Sequence, residues 1–103
     1  MPPDRLTVVA LGDRDLSPEA LRAVAAAERL LGAEPLLAAT RHLVPPTVRT
    51  RPASAAPGAL AAEAVSTDGQ VTVLVEPAGA HELAVALADL APDVPVTVLG
   101  VRR

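Results

Sequence analysis

The stretch DGQVTVLVEPAGAHELAVALADLAPDVPVTVL, residues 68–99, decides the fold. It opens on the turn pair Asp68-Gly69 and runs into Gln70-Val71-Thr72-Val73-Leu74-Val75. That apolar, β-branched run has the composition of a strand covered on both faces. Glu76-Pro77-Ala78-Gly79 reads as a loop. Residues 81–91 read as a helix that buries Leu83, Leu87 and Leu90, and Pro92-Asp93 ends it. Pro95-Val96-Thr97-Val98-Leu99 is a second strand, with Pro95 tolerable because it stands first. Strand, helix and strand in so short a stretch imply a parallel pair joined by a right-handed crossover.

The N-terminal third has the same grammar. Residues 5–11, Arg5-Leu6-Thr7-Val8-Val9-Ala10-Leu11, form a nearly continuous apolar run that breaks at Gly12-Asp13-Arg14-Asp15. Leu16-Ser17-Pro18-Glu19 is a helix start: Ser17 caps, Pro18 suits the first helical position, and Leu16 staples onto Leu21. The helix places Ala20, Ala23, Val24, Ala27 and Leu31 on its sheet-facing stripe and Glu19, Arg22, Ala26 and Arg29 opposite, and it stops near Gly32. Residues 28–31 are alternatively a short strand. In the middle, residues 47–51 alternate like an edge strand, and residues 59–65 read as a short Ala-rich helix. Pro45-Pro46, Pro52 and Pro57 keep this region rich in loops.

The expected architecture is therefore a single three-layer α/β domain, residues 1–103, around a mostly parallel sheet of four or five strands. The first, fourth and fifth strands should be central because of their Val/Leu composition, and the polar residues 47–51 should lie at an edge.

Composition narrows the function. Half of the 103 residues are hydrophobic, yet the apolar set is Ala, Val, Leu and Met1, with no aromatic residue and no cysteine. Cysteine nucleophiles, thiolate metal ligands and disulfides are thereby excluded, as are aromatic base-stacking platforms. Nine basic residues, all arginine, against twelve acids leave a net charge of −3, which argues against nucleic acid as a partner. No export signal or membrane-length apolar run is visible, so a cytoplasmic protein without a membrane partner is expected.

In open parallel sheets ligands bind beyond the carboxyl ends of the strands. Two loops reach that edge, residues 12–17 and 76–80, each running into a helix N-terminus that favours anions. Gly12, Asp13, Asp15 and Ser17 are accordingly candidate anion- or substrate-binding residues. His81, expected in the first turn of its helix, joins them at the same edge, and His42 is a second acid–base candidate with a pKa range near neutrality. The opposing readings are a capping role for Ser17, a polar helix start for His81 and a solvated loop position for His42. Arg41, Arg49 and Arg51 either line a face for ligand carboxylates or form the solvated side of an edge strand. Two histidines so far apart make no metal constellation, so no metal is expected.

The order of these pieces resembles a known family. Leu6-Thr7-Val8-Val9-Ala10-Leu11-Gly12-Asp13-Arg14-Asp15-Leu16-Ser17-Pro18-Glu19 is similar to the opening of the tetrapyrrole methylases, most closely the precorrin-6Y C5-methylase branch of cobalamin synthesis. Glu28-Arg29-Leu30-Leu31-Gly32 and Arg41-His42-Leu43 continue the likeness. Residues 71–75 with Glu76-Pro77 stand where the family carries a strand and a Gly-Asp-Pro turn. The resemblance covers the N-terminal half of a family member, up to about where its second domain begins. It implies S-adenosylmethionine as cofactor, bound between two domains, with Glu76, Pro77 and Ala78 on this chain's side of the cleft. The carboxylates of a tetrapyrrole ligand would then meet Arg41, Arg49 and Arg51, and His42 stands with Arg41 among the candidate substrate- or anion-binding residues.

The motifs are degenerate. Of the glycines in the opening loop only Gly12 stands here, flanked by Ala10 and Arg14, and Val75 occupies the glycine place of Gly-Asp-Pro. A β-carbon at those positions closes space that a ligand needs. Three functions follow as expectations: a non-catalytic methylase-like domain that acts through protein association, one half of a split S-adenosylmethionine-dependent precorrin methyltransferase completed by a second chain, or a small tetrapyrrole- or anion-binding protein. The isolated chain is expected to bind no cofactor tightly. A homodimer is expected, because apolar surface near Leu83, Leu87, Val98 and Leu36-Leu37 would otherwise be left uncovered.

Overall fold

Strand alternation sorts the first apolar run into two faces. In the computed structural model, which describes residues 3–11, 18–54 and 56–99, β1 (Pro3–Ala10) sends Leu6, Val8 and Ala10 into one core cluster and Val9 into another. The middle strand β4 (Gly69–Val75) divides in the same way, Val71, Val73 and Val75 against Leu74. A strand with both faces buried needs apolar residues at successive positions, which is why these runs are nearly continuous.

The remaining elements are α1 (Pro18–Ala26), β2 (Arg29–Gly32), α2 (Glu34–Thr40), β3 (Arg49–Pro52), α3 (Pro57–Val65), α4 (Pro77–Leu90) and β5 (Val96–Leu99), with a 3₁₀ turn at Arg41–Leu43. The five strands form one sheet in the order β3-β2-β4-β1-β5, and every neighbouring pair is parallel. Ala20 and Val24 of α1 and Leu37 of α2 pack with Val9, Leu30 and Leu74 on one face. Leu60, Ala61 and Ala64 of α3 and Ala80, Leu83 and Leu87 of α4 cover the other. The fold is thus a three-layer α/β domain with an all-parallel five-stranded sheet.

Four details differ from the sequence reading. First, α1 ends at Ala26, not near Gly32, and residues 29–32 form a strand. Leu30 and Leu31 belong to opposite core clusters, and adjacent side chains point to opposite faces in a strand but not in a helix. Ala20, Val24 and Ala27 do face the sheet as expected; Leu31 does not share their layer.

Second, residues 76–79 are no loop. Pro77 is the first residue of α4 and Glu76 its N-cap, because proline's fixed φ and missing N–H suit that position. The same start places His81 at the fifth helical position, beyond the first turn.

Third, β5 is not central. Among the described residues it pairs only with β1 and is the sheet's edge opposite β3, while the short β2 takes an interior place. Its Val and Leu residues are only half-buried or exposed, and Leu90, expected in the core, is 54% exposed.

Fourth, the apolar residues expected to need cover from a partner mostly find it within the chain. Leu83 and Leu87 are fully buried and Leu37 nearly so; Val98 alone among the strongly apolar positions named there is exposed, at 39%.

Candidate functional site

Ala10 and Val75 are register partners at the carboxyl ends of β1 and β4, and Leu11 N–H donates to the Val75 carbonyl at 2.8 Å. The chain therefore leaves these strands side by side, the position at which parallel sheets bind ligands. Gly12, Asp13, Asp15 and Ser17, together with the Leu16–Leu21 staple, lie outside the described residues.

On the α4 side, Glu76, Pro77 and Ala78 are exposed, and so is His81. Pro77 has no N–H, Glu76 makes no side-chain cap, and Gly79 N–H already donates to the Glu76 carbonyl at 2.9 Å. This helix start offers an anion fewer donors than an ordinary one.

Arg41 and His42 do not join that edge. The strands flanking them, β2 and β3, are parallel, so α2 carries the chain back to the amino-terminal edge before β3 begins. Arg41 and His42 sit in the 3₁₀ turn at the end of that return, both exposed. The structure consequently separates them from Glu76, Pro77, Ala78 and His81 by the length of the sheet. Arg41 instead borders a groove of about 410 Å³ between α2 and β3, with Leu37, Val48 and Thr50.

Arg49 and Arg51 part company with Arg41 as well. They alternate with Thr50 along β3 and line a different cleft, of about 580 Å³. Arg29 of β2 joins them there: it is the register partner of Arg49, and Leu31 is that of Arg51. The remaining wall is the end of α3, Ser66 and Thr67, followed by Asp68. The sequence leaves Arg29 between a helix stripe and a short strand, and only the strand sets it beside Arg49. The pattern Arg29-x-Leu31 beside Arg49-x-Arg51 was the available signal.

A third cleft of about 280 Å³ opens beside α1, where Thr7 and Thr97, partners across β1 and β5, meet Arg22 and Ala26. Among the described residues no group of three or more His, Cys, Asp or Glu is placed to hold a metal ion, and no helix is long and apolar enough to cross a membrane.

The fold defines an α/β domain with an all-parallel five-stranded sheet. Neither a family model, nor a curated protein, nor a solved structure matches the chain.

Proposed function

We propose that the chain is a non-catalytic domain, similar to the N-terminal domain of the tetrapyrrole methylases with degenerate motifs, that acts through protein association, with a second copy of itself as partner. The observation that supports this reading is the contrast between the two sheet edges. β3 carries Arg49, Arg51 and Pro52 within four residues. Charge and proline on an edge strand prevent further strand addition. β5 reads Val96-Thr97-Val98-Leu99, with neither charge nor proline.

An uncharged edge is self-complementary. Two copies related by a two-fold axis place β5 against β5 antiparallel, which joins two five-stranded sheets and satisfies the outward N–H and C=O groups of both. Val98, exposed on the flank of that edge, adds apolar contact across the axis. The dispersed acid–base residues, exposed at opposite sheet edges, suit association better than catalysis.

Sedimentation or light scattering at micromolar concentration tests the reading. The expected result is a particle of about twice the 10.5 kDa chain mass, reduced to the monomer by Val98→Lys and, independently, by Thr97→Lys. A wild-type monomer of 10.5 kDa overturns it.

A further inference from the structure

The cleft lined by Arg29, Arg49 and Arg51 has no part in the association just described, since it lies at the β2–β3 end of the sheet, away from β5. Arg29 and Arg49 are register partners in neighbouring parallel strands, so their backbones are about 4.8 Å apart. Arg51 follows two residues along the same strand and shares their face. Like charges set directly opposite one another destabilise a sheet. Of the described residues that line the cleft, Asp68 is the one acid against these three arginines.

The hydroxyl groups of the wall are already committed as donors. Ser66 Oγ donates to the Ala62 carbonyl and Thr67 Oγ1 to the Glu63 carbonyl, both at 2.9 Å. Their oxygens are left as acceptors, so the guanidinium groups, with the Thr50 hydroxyl, are the side-chain donors on the lining. A guanidinium presents a planar fork of N–H groups that matches the oxygens of phosphate or carboxylate in pairs. Long polyanions are disfavoured by the chain's net charge of −3 and by the absence of aromatic residues for base stacking. A compact, multiply charged oxyanion carries enough acceptor oxygens to pair with more than one of these arginines.

We propose that Arg29, Arg49 and Arg51 form a binding site for a small molecule bearing a compact, multiply charged oxyanion group, of which a diphosphate is the type.

Titration of the full chain with pyrophosphate, by calorimetry and by backbone amide shifts, tests this. The expected result is saturable binding with Kd below about 1 mM and shift changes confined to residues 29–31, 49–51 and 66–68. Arg29→Gln and Arg51→Gln, each confirmed as folded by circular dichroism, should each weaken binding at least tenfold, whereas Arg22→Gln on α1 leaves it unchanged. Citrate and orthophosphate are the comparison arms. Tighter binding of citrate keeps the site and assigns the oxyanion to a polycarboxylate. Tighter binding of orthophosphate keeps the site and assigns it to a single phosphate. The proposal is overturned by the absence of saturation, by shifts centred elsewhere, or by variants that lose stability yet keep their affinity for pyrophosphate. The last result would mean that the arginines serve only the end of α3.

Discussion

Thr72 Oγ1 donates a hydrogen bond of 3.1 Å to the carbonyl oxygen of Ala23, tying the middle strand to α1 across 49 residues of chain. The position of Ala23 gives the bond its meaning. It lies in the last turn of α1, where carbonyls run out of donors within the helix. Thr72 is 2% exposed, a polar residue set among Val71, Val73 and Leu74. Its hydroxyl gives that carbonyl a donor from outside the helix, and its methyl keeps the interior apolar.

The first prediction follows from that pair. Thr72→Val preserves shape but removes the bond to the Ala23 carbonyl, and should cost about 1–2 kcal/mol. Thr72→Ser keeps the donor and should lose only the buried methyl, about 1 kcal/mol or less. Urea unfolding followed by far-ultraviolet circular dichroism measures both, since the chain has no aromatic residue to report by fluorescence. A Thr72→Val variant as stable as the parent would show that the bond contributes nothing.

Gly32 sets the approach of β2 to the middle strand. A β-carbon there would stand 3.0 Å from Leu74 Cβ and 3.3 Å from the Leu74 carbonyl oxygen. Gly32→Ala should therefore destabilise by about 1–2 kcal/mol, the overpacking cost exceeding the gain from a stiffer unfolded chain. A β-carbon at Gly58, near the start of α3, would meet no described residue within 4 Å. Gly58→Ala should stabilise by up to about 1 kcal/mol. Opposite signs in the two melts are the expected result; equal signs would remove the role assigned to Leu74.

How much of this was legible beforehand depended on the period of each segment. The runs at β1 and β4 are long enough and apolar enough to be strands covered on both faces and nothing else. Residues 29–32 were ambiguous, because two adjacent leucines fit either a helix stripe or a short strand. Only the sheet, by taking Leu30 and Leu31 to opposite faces, decides between them. The rank of β5 was misread for a related reason. Val and Leu report that a strand is apolar, and an unguarded edge is as apolar as a centre. Leu90 kept helical spacing with Leu83 and Leu87 but is more than half exposed, since spacing along a helix does not say where the layer beneath it stops. For the site, the chemistry of single residues was readable and their grouping was not: Arg41, Arg49 and Arg51 looked like one face and belong to two clefts.

Glu63 in α3 offers a different kind of test. Its Oε2 is buried without a hydrogen-bond partner among the described residues, and an unsatisfied buried acceptor costs about 1–3 kcal/mol. Glu63→Leu removes the acceptor and substitutes a strong helix former. It should stabilise the domain by about 1 kcal/mol. A loss of stability in the same urea assay would indicate that the carboxylate is held by an interaction that survives in solution.

The last prediction concerns the edge at β5 and separates a functional dimer from incidental stickiness. If β5 pairs with its counterpart only when the sheet is formed, association binds the native state and not the unfolded one. Stability must then rise with chain concentration. For a dimer that unfolds to two chains, each tenfold rise in concentration adds about 0.7 kcal/mol per chain, or roughly 3–5 °C in the thermal midpoint of a domain this size. Val98→Lys breaks the pairing, so its midpoint should be independent of concentration and should match that of the dilute parent to within about 1 kcal/mol, because Val98 is already 39% exposed. Arg49→Gln on β3 touches the opposite edge and should leave the parent's concentration dependence intact. Melts at several concentrations decide the matter: a flat parent profile, or a variant that still tracks concentration, would mean that the unguarded edge is not where two chains meet.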